Sequence, residues 1–153
     1  MTLIPQSDME RNLSIRILRL ATKLSVVFQR ETLRPAGIQV QQWRILVSLA
    51  QFGELHLRLL ARYSTQDPGH TSKVIKAMVT KGWVESRPDP ADHRRIQYRL
   101  TEGGTALVEE NWPHAKAFAA NLAGLFDEDE FDQFKAMLDK ANSAFDQRLK
   151  NDN

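Results

Sequence analysis

Apolar residues recur at helical spacing along most of this chain, and the period changes most clearly between Trp83 and Leu100. From Pro68 onward, Thr71, Val74, Ile75, Met78 and Val79 make one stripe. Gly69, Ser72, Lys73, Lys76 and Thr80 occupy the opposite face, so one face packs and the other is free. Asp67 suits the N-cap, Pro68 the first helical position and Gly82 the left-handed residue that ends the helix. Val84 then alternates with Trp83 and Glu85, and Ile96, Tyr98 and Leu100 alternate with Arg95, Gln97 and Arg99, as half-buried strands do. The turn formers Pro88-Asp89-Pro90-Ala91-Asp92-His93-Arg94 between them predict an exposed hairpin loop.

Upstream, Leu13, Ile17, Leu20, Leu24 and Val27 form one stripe of a long helix over residues 8–34, widened by Ile15, Leu18 and Phe28 and broken at Pro35-Ala36-Gly37. Residues 39–52 resume the spacing through Trp43, Leu46, Val47 and Ala50. Leu55 predicts a short edge strand, Leu57, Leu60 and Ala61 a brief helix, and Ser64-Thr65-Gln66 a turn. Brief helix, turn and the helix at 68–81 make a helix-turn-helix, and the hairpin adds a wing. Downstream, Thr101 is the expected N-cap of a helix carrying Leu107, Val108, Trp112, Phe118, Leu122 and Leu125, with a kink expected at Pro113. Asp127 and Glu130 form a capping box for the last helix, Phe126 is set to staple against Phe131, and the stripe runs Phe131, Phe134, Leu138, Ala141, Phe145, Leu149. The predicted fold is mainly α: a winged helix-turn-helix lobe over 38–102, with a small antiparallel β-wing and long N- and C-terminal helices (8–34 and 104–149). Those two helices carry more apolar surface than one small protomer covers. A two-fold homodimer built on Leu13, Ile17, Leu20, Phe131, Phe134, Leu138 and Phe145 is therefore expected.

At 153 residues and 42% apolar content, the chain is sized for a single domain with a real core. No apolar run reaches the roughly 18 residues of a membrane span, so a cytoplasmic protein without membrane contact is expected. Zero cysteines exclude thiol redox sensing, thiolate metal sites and cysteine nucleophiles. Net charge is only +2, but it is unevenly spread. Residues 1–66 hold nine Lys/Arg against four Asp/Glu, residues 67–100 seven against four, and residues 101–153 five against eleven. The basic middle favours a polyanion, and the acidic end faces away from it.

Gln42-Trp43-Arg44-Ile45-Leu46, Leu60-Ala61-Arg62, Ser72-Lys73, Lys81-Gly82-Trp83-Val84, Arg87-Pro88-Asp89-Pro90-Ala91-Asp92-His93-Arg94 and Leu100-Thr101-Glu102-Gly103-Gly104 together resemble the multiple antibiotic resistance regulator (MarR) family. The wing stretch is the most specific of these pieces, and their order strengthens the rest. The resemblance implies one MarR-like domain over 1–153 and a dimeric transcription factor, usually a repressor released from DNA by a small aromatic or phenolic effector. It implies that Ser72 and Lys73 meet DNA, that Arg94 enters the minor groove and that Asp92 orients it. These roles fit the chemistry. Lys73 can donate to guanine, Ser72 can donate or accept, Lys76 and Thr80 suit phosphates, and a hairpin-tip arginine suits a narrow minor groove. Arg87 and Arg95 are expected to line the approach, and an effector pocket is expected near Trp43 and the first helix. The chain departs from the family pattern at Gly69-His70-Thr71, at Gln39 in place of a hydroxyl cap, and at Ser64 and Gln66 in turn positions that are commonly apolar.

Other chemistries find less support. His56, His70, His93 and His114 form no pair at the spacing of a helical metal site, and Ser72 has no evident base, so neither a metal, another cofactor nor an enzyme is expected. Asp127-Glu128-Asp129-Glu130 is explained by helix capping. The competing function is a winged-helix module that assembles proteins and does not read DNA. Lys73 and Lys76 on the free helix face argue against it.

Overall fold

The computed structural model describes residues 12–151, with side chains to residue 148. Residues 8–11 of the expected first helix and the Leu149 side chain lie outside the described residues. Helix α1 (Leu13–Phe28) leads through a π-turn (Gln29–Leu33) and a 3-10 turn (Arg34–Ala36) to α2 (Val40–Phe52). Strand β1 (Leu55–His56), α3 (Leu57–Tyr63) and α4 (Pro68–Thr80) follow, then β2 (Val84–Pro88), β3 (Ile96–Leu100), α5 (Glu102–Ala123) and α6 (Glu128–Asn151). The fold is mainly helical, a winged helix-turn-helix whose three antiparallel strands run in the order β1-β3-β2. The described residues fall into two compact units divided after His114.

The first unit holds the buried core: Leu33, Ile38, Trp43, Ile45, Leu46 and Leu49 before the wing, and Leu60, Ile75, Met78 and Val84 from the helix-turn-helix and β2. The long first helix is α-helical only to Phe28. Beyond it the Arg34 N–H reaches back to the Gln29 carbonyl, the wider π-turn, which buries Thr32 and Leu33. Gly37 then takes a left-handed φ of 67° and reverses the chain. Gln29 closes this bend from both sides. Its Nε2 donates to the Ile38 carbonyl (2.8 Å), and its Oε1 accepts the Val40 N–H (2.6 Å). The Gln39 N–H donates to Gln42 Oε1 (3.0 Å). In place of a hydroxyl cap at Gln39, two glutamine amides satisfy backbone groups at the start of α2.

The turn after α3 carries polar residues, Ser64 and Gln66, where apolar ones are common. Ser64 is fully buried, and Gln66 donates from Nε2 to the Gln41 carbonyl (3.0 Å) and from its backbone N–H to Ala61 (2.9 Å). Polar residues here tie the turn to α2. Asp67 caps α4 as expected, with Oδ1 accepting the His70 N–H at 3.0 Å. The packed stripe of α4 is narrower than its sequence pattern. Thr71, Ile75 and Met78, spaced four and three apart, are buried, whereas Val79 is exposed, one step round from the core. Strand alternation also fails at Ile96, which is 41% exposed. Ile96 pairs with Pro88 at the loop end of the hairpin, beyond the reach of β1, which covers only Tyr98 and Gln97.

Thr101 joins wing to helix: its hydroxyl donates to the Gly82 carbonyl (2.6 Å) and accepts the Gly104 N–H (3.1 Å). α5 continues through Pro113. In the second unit, Asp127 and Glu130 form the expected capping box, at 2.9 and 3.1 Å. The staple partner differs. Phe126 stacks on Phe134 with ring centroids 5.4 Å apart, because Phe134 lies two turns past Asp127 on the same side of α6 and its ring can reach the helix start. No buried residue occurs in α1, where Leu13, Ile17 and Leu20 are all exposed, and Phe131, Leu138 and Phe145 are exposed on α6, with Phe134 half-buried.

Candidate nucleic-acid interface

The free face of α4 is built by its cap. Asp67 sets the helix start, Pro68 occupies the first turn, and the Thr71 hydroxyl donates to the Asp67 carbonyl at 2.8 Å, so the turn that presents His70, Ser72 and Lys73 is held at both ends. Lys73 and Lys76 are exposed and their ammonium groups have no partner among the described residues, while Ser72 is half-buried at the edge of the face. Thr80 donates its hydroxyl back to the Lys76 carbonyl (3.1 Å), which leaves that oxygen as an acceptor and weakens the expectation of a phosphate donor there. Lys81 lies over the Trp83 ring at 4.2 Å, a cation–π contact that fastens the end of the helix to the start of β2.

The wing sorts its arginines. The Arg87 guanidinium donates to Glu54, and Arg99 donates to Glu85, its cross-strand partner, with Glu54 3.8 Å away. Arg87 was expected to line the approach to a polyanion; it is instead neutralised where the hairpin meets the start of β1. Asp92 was expected to hold the Arg94 side chain. It accepts the Arg94 backbone N–H (3.2 Å), and its other oxygen pairs with Arg95 Nε (3.2 Å). The short Asp side chain can reach a main-chain amide two residues on and a guanidinium three residues on, which leaves the Arg94 guanidinium free at the loop tip.

The residue that organises this loop, Asp89, was not singled out from the sequence. Its carboxylate is buried in a loop devoid of apolar residues and accepts the Ala91 N–H (2.7 Å), Gln97 Nε2 (3.3 Å) and His56 Nε2 (3.1 Å). Its N–H donates to the Arg95 carbonyl (2.9 Å), closing the loop. The Ala91 amide chiefly holds this carboxyl below the usual carboxylate range; burial opposes it, and the Asp92 amide and the charges of His56 and Arg95 add to the lowering. The sequence signal available was an Asp two residues before Ala91 in a Pro-flanked turn, the pattern of an Asx-turn.

Trp43 is buried and lines a cavity of about 370 Å³ with Val47, Phe52, Tyr63 and Trp112. This cavity draws on α2, α3 and α5, and no residue of α1 lines it. A neighbouring apolar cavity of about 650 Å³ is lined by Val47, Ala50, Val108, Trp112 and Pro113. Among the described residues there is no cluster of three metal-ligating side chains, and no helix long and apolar enough to cross a membrane.

Residues 38–96 match the MarR family. The chain is 32% identical over 80 residues to the multiple antibiotic resistance protein MarR of Escherichia coli strain K12, covering 52% of this chain and 56% of that protein. The chain spans about half the length of the curated MarR relatives it matches. Among solved structures, a mutant E. coli MarR complexed with operator DNA superposes with a TM-score of 0.81 at 23% identity, over 90% of this chain and 99% of that one. Bordetella bronchiseptica BpsR, described with regulation of its DNA binding by 6-hydroxynicotinic acid, gives 0.76 at 24% identity, over 86% and 99%.

Proposed function

We propose that this chain, whose residues 38–96 match the MarR family, is a sequence-specific, DNA-binding transcriptional regulator that acts as a homodimeric repressor and is not an enzyme. The observation that carries this reading is the sorting of cations on one surface. Lys73 and Lys76 on α4 and Arg94 at the wing tip are unpaired, while Arg87 and Arg99 are neutralised by Glu54 and Glu85. Unpaired cations on a protruding helix and a hairpin tip match a major groove flanked by a minor groove. In this reading Lys73 and Ser72 read base edges, Lys76 meets a phosphate and Arg94 enters the minor groove; the E. coli relative of similar fold is complexed with operator DNA.

In a two-fold dimer the two α4 helices stand about 34 Å apart and read a pseudo-palindrome with half-sites one helical turn apart. The α1 and α6 stripes form the dimer surface. A small aromatic or phenolic effector occupies the cavities beside Trp43 and Trp112, of about 370 and 650 Å³, the first lined by Arg44, Ser48 and Gln51 as well as aromatic rings and the second mostly apolar. The BpsR relative, regulated by a hydroxylated aromatic acid, supports that class.

The test is enrichment from a randomised duplex pool at two salt concentrations, beside Arg94→Ala and Lys73→Ala. One inverted repeat should be enriched, less tightly held at high salt, and lost in the variants. A folded dimer that enriches no sequence at low salt would instead be a protein-assembly module. Thermal shift with hydroxylated aromatic acids tests the effector: stabilisation by none of them removes that class.

A further inference from the structure

On the side of the wing facing the start of α3 lies an open groove of about 580 Å³. Arg58 projects into it from the first turn of α3, Arg95 from the loop end of the hairpin and His56 from β1. Leu57, Leu59, Ile96 and Tyr98 supply the rest of its wall. The charge in this groove is one-sided. No acidic residue lines it, though two of its basic groups have carboxylate partners: Asp89 is buried and holds His56 Nε2 at 3.1 Å, and Asp92 holds Arg95 Nε at 3.2 Å. The terminal nitrogens of Arg95 remain available as donors, and the Arg58 guanidinium is exposed with no partner among the described residues. Elsewhere on the sheet Arg87 and Arg99 each have a glutamate. Arg58 is thus the unpaired cation of the groove, beside an Arg95 that Asp92 engages through Nε.

Its apolar wall narrows the ligand. Ile96 and Leu59 are 41% and 38% exposed, large aliphatic groups left beside two guanidinium groups. A bare inorganic anion gains nothing from them, whereas a sugar-phosphate segment has an apolar ribose edge beside each charged phosphate. We infer that this groove is a seat for the DNA backbone, in which Arg58 and Arg95 hold one phosphodiester while the adjoining deoxyribose packs on Leu59 and Ile96. Arg58 is thereby a DNA contact on the first helix of the helix-turn-helix, extending the protein's footprint beyond α4 and the wing tip. This inference rests on the DNA-binding reading above.

A phosphate contact carries no sequence information, so its loss weakens binding to operator and random duplex alike. The measurement is duplex affinity against salt concentration by fluorescence anisotropy, for the wild type, Arg58→Gln and Arg58→Lys, on an enriched and a scrambled duplex. With one seat in each protomer of the dimer, Arg58→Gln should lower the slope of log affinity against log salt by about 1.8, roughly a sixtyfold loss at 0.1 M salt, equally on both duplexes, and Arg58→Lys should restore the slope. A wild type that binds DNA, with slope and affinity unchanged in Arg58→Gln, overturns the seat and leaves the regulator reading intact. A wild type that binds neither duplex overturns both. The protein without DNA is also titrated with inorganic phosphate at constant ionic strength, followed by thermal shift. Saturable stabilisation that Arg58→Gln abolishes, with an unchanged DNA slope, would reassign the seat to a free phosphate ligand.

Discussion

Gly104 is the residue at which the fold has least freedom. A β-carbon placed there would lie 2.0 Å from the Trp83 carbonyl oxygen and 3.0 Å from its carbon, inside any real contact. Trp83 immediately precedes β2 and Thr101 immediately precedes α5, so this close approach joins the two elements, and the Thr101 hydroxyl bridges them again. Gly104→Ala should destabilise the first unit by about 1–3 kcal/mol, the usual range for overpacking, read as a fall in thermal midpoint. Gly103→Ala, with its nearest obstacle at 3.5 Å, should change little. Asp89 sets a second residue-scale expectation. Its carboxyl titrates lower in the folded protein than in the unfolded chain, so the stabilisation it supplies is present above the ordinary carboxylate pKa and is lost as pH falls through the lower folded value. The wing should therefore loosen below about pH 4. Asp89→Asn should show a flatter dependence of thermal stability on pH in that window; an identical profile would mean that the carboxylate does not hold the loop.

At the scale of elements, the recognition helix depends on its cap. Asp67 Oδ1 satisfies the His70 N–H, and its carbonyl receives both the Thr71 N–H (2.8 Å) and the Thr71 hydroxyl (2.8 Å). Asp67→Ala should cost about 1 kcal/mol, and Asp67→Asn, which keeps an acceptor in place, much less. Frayed at its start, α4 would present Ser72 and Lys73 less firmly, so Asp67→Ala should also weaken duplex binding without altering which sequence is enriched. Binding unchanged in a destabilised variant would place the contacts further along the helix. The wing is braced differently. Glu54 ties Arg87 and Arg99 to the turn before β1, and His56 ties β1 to Asp89 in the loop, so a two-residue strand orients the whole hairpin.

For the whole molecule, the unanswered apolar surface is the strongest constraint. Leu13, Leu18 and Leu20 on α1 are 69, 67 and 53% exposed, and Met137 and Phe145 on α6 are 60 and 61% exposed. Repeated at helical spacing, such residues mark surfaces that meet another chain. Ile17→Glu and Phe145→Glu should each shift the protein from dimer to monomer in sedimentation velocity while circular dichroism stays helical. Either variant remaining a dimer would move that face out of the interface. Because two recognition helices bind far more tightly when joined, the same variants should lose most operator affinity.

Where local chemistry decided an element, it was legible in the sequence. Asp67, Thr101 and Asp127 announce helix starts because a cap bonds only two or three residues ahead, and Gly82 announces an end because a left-handed backbone (φ 71°) suits a residue without a side chain. The period change at the wing and the free basic face of α4 follow from the same short-range rules. Tertiary structure decided what those rules do not reach. Arg87 meets Glu54 33 residues away, and Asp89 is buried against His56, a partner the chain supplies only once β1 lies beside β3. Asp92 chose Arg95 over the Arg94 side chain because the loop geometry, and not the order of residues, sets which donor comes within reach. The sequence by itself therefore determined the helices, the wing and the sign of the surface they offer. Packing determined which arginines keep their charge for a partner, because neutralisation depends on distances that only the folded chain creates.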